Sequence, residues 1–287
     1  MKINSLNRSG RMLTWGAVWL LLLIPLDAMA ADVKAAPAEK LVHICGDILL
    51  APFAYAKRVN GKPTQEITGY TVDLVKALFK ARGYRVQVDL LPWVRCQTWV
   101  QEGTHYQVAL EATYSKERAE TYLLSNPYYP GLVGHYYYSK TLHPEGLKVK
   151  KRADLRNYYA CGRHGSNYEP FGLPNPVIDR HTKTYSGLIK RVMTGRCDLF
   201  VAYPELLNGF GRVVNPEILN VEGLALERVP EMGRTAFVML ITRNPKTGGP
   251  ELKKIIDHGI EKLHESAFFN KLEEKYHLTR TSPLPPE

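Results

Sequence analysis

From Leu41 to Glu111 short apolar runs alternate with amphipathic stretches, and this alternation limits the possible folds more than any other feature of the chain. Leu41-Val42-His43-Ile44-Cys45 has the continuous apolar pattern of a buried strand, followed by a turn at Pro52 and a loop at Gly61-Lys62-Pro63. Between Tyr70 and Arg82, the residues Val72, Leu74, Val75, Leu78 and Phe79 recur at helical spacing, and Gly83 stands where a C-terminal cap belongs. A strand is predicted at Arg85 to Leu90, a helix from near Trp93 to Gly103, and a strand at Tyr106 to Glu111. Strands alternating with helices in this way indicate a parallel sheet with helices packed on its faces.

The pattern then restarts. Leu132 to Tyr138 is an apolar, aromatic run, Tyr158 to Gly162 reads as a strand, Tyr185 to Thr194 as a helix, and Leu199 to Tyr203 again as a strand. Arg234 to Thr242 is the last predicted strand. Two amphipathic helices follow, one with Leu252, Ile255, Ile256, Ile260 and Leu263 on a face, the other with Phe268, Phe269, Leu272 and Tyr276. The expectation is an α/β protein of two units in which the chain returns to the first, without repeats at solenoid periods. The clusters Tyr128-Tyr129, Tyr136-Tyr137-Tyr138 and Tyr158-Tyr159 fit strands that alternate between core and surface.

The first thirty residues have a different character. Lys2, Arg8 and Arg11 are basic, Leu13 to Leu26 is apolar but short for a spanning helix, and Ala28-Met29-Ala30 is a small-x-small sequence, so the segment reads as an export signal cleaved after Ala30. No later stretch is apolar enough to span a bilayer, and the Pro-rich tail from Ser282 is expected to fray. Export places Cys45, Cys96, Cys161 and Cys197 in an oxidising compartment where disulfides persist. No CxxC pair is present, so metal ligation is not expected. Each half of the chain holds two cysteines, which favours Cys45–Cys96 and Cys161–Cys197 if the halves fold separately.

The remaining composition narrows the function. Charged residues at 23% and aromatics at 10% exclude a disordered chain. The formal charge of +10 is the single hint of nucleic-acid binding, and in an exported protein it suggests at most contact with an anionic membrane surface. There is no Walker loop, GxSxG elbow or HExxH, and His164 and His181 lack ligand spacing, so neither cofactor nor metal is expected.

Specific residues resemble a known family. Gly69-Tyr70-Thr71-Val72-Asp73-Leu74 resembles the G-[FY]-x-x-D-L opening of the first helix in family 3 periplasmic solute-binding proteins, and Ala51-Pro52-Phe53 is similar to the Pro-Phe turn that borders their ligand. Ser115-Lys116-Glu117-Arg118 with Ser125-Asn126-Pro127-Tyr128, then Gly195-Arg196-Cys197-Asp198, and the closing helix from Phe268 to Tyr276 resemble further family segments in the same order. The resemblance implies the type II periplasmic binding protein fold: two α/β lobes joined by two hinge strands, with ligand between them. It places one lobe at 31–135 plus 236–287 and the other at 136–235.

It also implies a site. Arg118 stands where amino-acid-binding members hold the ligand's α-carboxylate, a role suited to a planar fork of donors. Thr113 matches a family hydroxyl that contacts ligand, and Gly165-Ser166 stands where relatives have Gly-Thr, which binds carboxylate from the second lobe. Trp93, Phe53 and Tyr55 are aromatics at positions that border the cleft. Two positions depart from the pattern. Glu111 stands where a small polar residue is common, open either to a cationic ligand group or to pairing with Arg95 or Arg118. Tyr203 replaces the carboxylate that pairs with a ligand ammonium, which counts against an α-amino acid.

The resemblance therefore implies a monomeric, periplasmic protein that captures a small polar, carboxylate-bearing solute for an ABC transporter permease. Two alternatives stay open: a sensor signalling to another inner-membrane partner, and an enzyme similar to cyclohexadienyl dehydratases, with Glu111 or Glu205 as its acid.

Overall fold

The computed structural model describes residues 40–278; the predicted export signal and the Pro-rich tail lie outside them. Along the chain run β1 (Lys40–Asp47), the hairpin β2 (Tyr55–Val59) and β3 (Lys62–Thr68), α1 (Tyr70–Lys80), β4 (Tyr84–Leu91), α2 (Trp93–Glu102), β5 (Val108–Thr113), α3 (Lys116–Thr121), β6 (Leu123–Leu124) and β7 (Tyr129–Leu132). The second half carries β8 (His135–Ser139), β9 (Ala160–Arg163), β10 (Asp179–Thr182), α4 (Tyr185–Met193), β11 (Leu199–Ala202), α5 (Pro204–Val213), β12 (Leu224–Arg228), β13 (Thr235–Ile241), α6 (Gly249–His264) and α7 (Phe268–Lys275).

Two separate sheets result. The first has the order β4-β1-β5-β13-β6, with β7 also on β13; β1 is parallel to β4 and β5, and β13 is antiparallel to its neighbours. The second has the order β10-β9-β11-β8-β12, parallel between β10, β9 and β11 and antiparallel around β8. The final segment returns to the first sheet, as the sequence pattern predicts, because the apolar faces of α6 and α7 pack against α1 and each other.

Asp73, part of the G-Y-x-x-D-L segment, fixes that return: its carboxylate accepts from Lys275 Nζ at 2.6 Å and from the Tyr276 hydroxyl at 2.7 Å. Gly69 before α1 has φ +137°, and a Cβ there would lie 2.2 Å from the Phe53 carbonyl oxygen, so only glycine lets α1 start so close to the preceding turn. Cys45 in β1 is bonded to Cys96 in α2, and Cys161 in β9 to Cys197 just before β11, each bridge lying within the elements of one sheet.

The chain crosses between the sheets at residues 133–134 and again at 229–234. These segments touch: the Val229 amide donates to the Gly134 carbonyl at 2.9 Å, and a Cβ on Gly134 would stand 2.2 Å from Met232 Sδ and 2.8 Å from the Phe171 ring. The apolar run from Leu132 to Tyr138 is accordingly split, ending one strand in the first sheet and starting another in the second. Gly61-Lys62-Pro63 is also more ordered than a loop, because Gly61 turns the β2–β3 hairpin. Other elements, α3, α5, β10 and β12 among them, were not anticipated. The helices α3 and α5 are short and polar or glycine-containing, and the strands β10 and β12 carry charges on edge positions.

Candidate ligand-binding cleft

A cavity of about 70 Å³ lies between the sheets. It sits beyond the carboxyl ends of β1, β5, β9 and β11, the usual place for ligands in parallel sheets. Trp93, Glu111, Thr113, Arg118, Ser166 and Tyr203 all line it, so six of the nine site residues expected from sequence meet in one place.

Arg118 reaches it from α3. Ser115 caps that helix, its hydroxyl accepting from the Arg118 amide at 3.2 Å, while the Arg118 side chain turns back toward β5. Its Nη1 donates to the Thr113 carbonyl at 2.8 Å and to Thr113 Oγ1 at 3.3 Å, and its Nη2 points to the Gly165 carbonyl at 3.4 Å. The guanidinium carbon stands 5.6 Å from the Trp93 ring, within cation–π range. Arg118 is only 8% exposed, and burial pulls its pKa down to about 10. It forms no ion pair with Glu117, Glu120 or any other carboxylate among the described residues. A buried guanidinium without a counter-ion is an anion site in waiting, because an unpaired buried charge is costly.

Glu111 lies in the carboxyl half of β5. Leu110 and Glu111 together face Met239 of β13, a bulge, and Glu111 has φ +53°, a left-handed conformation strained for any residue other than glycine. Its amide donates to the Tyr128 hydroxyl at 3.0 Å. The residue is 4% exposed, and neither carboxyl oxygen has a hydrogen-bond partner; Thr71 Oγ1 lies beside it without the geometry of a good bond. Burial pushes the pKa up to about 8, Thr71 opposes this, and the nearby Asp47 charge adds to it. Burial without a partner thus favours the protonated, uncharged form of Glu111. It makes no ion pair with Arg95 or Arg118: Arg95 instead lies over the Trp99 ring.

The second sheet supplies the opposite wall. Trp93 Nε1 donates to the Gly165 carbonyl at 3.0 Å, and Asn167 Nδ2 donates to Thr113 Oγ1 at 3.1 Å and the Tyr114 carbonyl at 2.7 Å. Gly165 adopts φ +74°, and a Cβ would meet Val94 at 2.6 Å, so this close approach needs glycine. Tyr203 lies at the start of α5 with its hydroxyl buried and unpartnered, and burial raises its pKa.

Three expected residues are elsewhere. Phe53 is fully buried in the core, its ring edge-on to Tyr70, Tyr129 and Phe237 at 4.9–5.7 Å between centroids. Tyr55, the first residue of β2, borders a separate groove with Pro52 and Tyr276. Gly165 faces an adjoining groove with Val94 and Gln97, and it meets the cleft through its carbonyl. Conversely, sequence reasoning missed Asp47 and Arg163, a buried ion pair that joins the carboxyl ends of β1 and β9 across the cleft. Each is a charged residue closing an otherwise apolar strand, which was the available signal. It also missed the aromatic lining of Tyr168, Phe171 and Tyr185.

Two α/β lobes with a polar, arginine-bearing cleft between them define a solute-binding protein. Residues 42–279 match the bacterial extracellular solute-binding proteins, family 3, and the chain belongs to that family. A "Probable histidine-binding protein" of Neisseria gonorrhoeae is 23% identical over 252 residues, covering 86% of both chains. Among solved structures, the fold is similar to an amino acid ABC transporter substrate-binding protein of Streptococcus pneumoniae bound to L-arginine. That match has a TM-score of 0.64 and 22% identity, covering 85% of this chain and 97% of that one. It is also similar to an arginine-, lysine-, histidine-binding protein of Geobacillus stearothermophilus, with a TM-score of 0.63 and 20% identity, covering 83% and 95%. These are type II periplasmic binding proteins. No helix among the described residues is long and apolar enough to cross a membrane.

Proposed function

We propose that the protein captures a small carboxylate-bearing solute between its two lobes and delivers it to an ABC importer in the inner membrane. One observation carries this reading: Arg118 is buried in the cleft with its guanidinium free of any carboxylate. In this reading Arg118 holds the carboxylate, Ser166 and Thr113 add hydroxyls, and Trp93 covers the bound group. The lobes are 31–135 with 236–287 and 136–235, and the protein works as a periplasmic monomer after cleavage behind Ala30. Relatives named for amino acids and for ABC uptake support a solute of amino-acid size. Capture needs no bond to form or break, so the groups of the cleft act through complementarity and closure.

The test is isothermal titration calorimetry and thermal shift with a panel of amino acids and organic acids. Arg118→Ala is expected to abolish ligand-induced stabilisation while leaving the circular dichroism of the free protein unchanged. Undiminished affinity in Arg118→Ala would remove Arg118 from the assignment.

A further inference from the structure

The charges buried in the cleft can be counted one by one. Arg118 has no counter-ion. Arg163 has one, because its Nη2 is paired with Asp47 Oδ2, and its guanidinium also stands 5.1 Å from the Tyr185 ring. Burial lowers the Arg163 pKa, but Asp47 more than offsets it and the arginine stays charged. Asp47 is fully engaged, since its Oδ1 accepts from the Leu49 amide at 3.1 Å. Glu111 is buried with neither oxygen partnered and no cation paired to it, which favours its uncharged form. The sum is a single positive charge, in a cleft whose other walls are uncharged, apolar at Leu50, Phe171 and Leu206 and polar at Thr113, Ser166 and Asn167.

A cationic ligand group would need a buried carboxylate to meet it. Asp47 is taken by Arg163, and the position of Tyr203 offers only a hydroxyl. Glu111 would have to ionise beside the Asp47 charge. By contrast, a monoanion neutralises Arg118 and leaves every other charge balanced. The polar atoms without partners in these walls, namely Arg163 Nε, the Glu111 carboxyl and the Tyr203 hydroxyl, are groups that meet uncharged oxygens well.

We infer that the cleft selects a monoanionic carboxylate whose remainder is uncharged, and that the Asp47–Arg163 pair imposes this by withholding both a carboxylate from cations and a second arginine from dianions. The inference rests on the reading of Arg118 as carboxylate anchor.

The experiment is titration calorimetry of the full chain with four probes: propionate, phenylacetate, L-arginine and succinate. One of the two monocarboxylates is expected to bind wild type at least tenfold more tightly than L-arginine or succinate. Tighter binding of L-arginine or succinate, or no binding of either monocarboxylate, overturns the inference. Two reciprocal variants test the pair itself. Asp47→Asn frees Arg163, and the succinate-to-phenylacetate affinity ratio should rise at least tenfold. Arg163→Met frees Asp47, a carboxyl that tolerates isolation by taking up a proton, and the L-arginine-to-phenylacetate ratio should rise at least tenfold. Unchanged ratios in a folded variant overturn the role of the pair. Arg118→Ala separates the two claims. If it retains monocarboxylate binding with the same preference, the anchor reading falls and the charge count that rests on it falls too. If it loses binding while wild type prefers L-arginine, the anchor stands and the selectivity falls.

Discussion

The indole of Trp93 in one lobe donates its N–H to the carbonyl of Gly165 in the other, at 3.0 Å. The same carbonyl lies 3.4 Å from Arg118 Nη2, so one backbone oxygen joins the closing contact to the proposed anchor.

Removing that hydrogen bond should weaken closure without emptying the cleft. Trp93→Phe keeps an aromatic ring and loses the donor, and a neutral hydrogen bond is worth about 1 kcal/mol. Ligand affinity is expected to fall roughly fivefold, with small-angle scattering of the unliganded variant shifted toward a more open form. Identical affinity and scattering would assign the contact no part in closure.

Substituting the anchor conservatively separates charge from geometry. Arg118→Lys retains the positive charge but loses the planar fork and the stacking on Trp93. Affinity for a carboxylate probe should drop at least about tenfold, the loss expected when bidentate geometry is replaced by a point charge. Calorimetry on the lysine variant reads this directly.

Glu111 gives the protein a pH-dependent stability of unusual sign for a carboxylate. Its folded pKa lies above its unfolded value, so its contribution is complete below the ordinary glutamate range and is lost as pH rises toward about 8. Within that window each pH unit removes up to about 1.4 kcal/mol. Glu111→Gln carries no titrating proton, so urea midpoints measured from about pH 5 to about pH 9 should fall for wild type and stay flatter for the variant. Parallel profiles would show that Glu111 titrates normally. In the same window, ionisation of Glu111 cancels the net charge of the cleft, and monocarboxylate affinity should weaken at high pH in wild type alone.

The bridges are tested chemically. Each closes a loop of tens of residues, so reduction should cost about 2–4 kcal/mol per bridge. Mass spectrometry of the unreduced protein should show no free thiol, and the melting temperature should drop on adding dithiothreitol. Cys45→Ser with Cys96→Ser should also weaken ligand binding, because that bridge ties the helix carrying Trp93 to β1.

Much of the fold could be read from periodicity, because β1, α1, α2 and α6 bury continuous or helically spaced apolar residues. Of the elements that escaped, α3 is too short to show a period and α5 is interrupted by two glycines despite its apolar face, whereas β10 and β12 are short, charged edge strands held by their sheet partners. Arg118 was legible through the family resemblance, and Thr113 and Glu111 by counting back from it, because all three lie within eight residues of one another. Asp47 and Arg163 were not, since 116 residues separate them and only the folded cleft brings them together. Phe53 shows the reverse failure. An aromatic after the first strand is compatible with either wall or core, and three ring neighbours decide for the core.

Gly134 sits where both crossing segments and Phe171 converge, with no room for even a methyl group. A side chain there would press on Met232 and on Phe171, itself a wall of the cleft, so the crossing point between the sheets and the shape of the binding site are coupled through one backbone position. A change at this crossing is therefore felt by the wall of the cleft, and the two cannot vary independently.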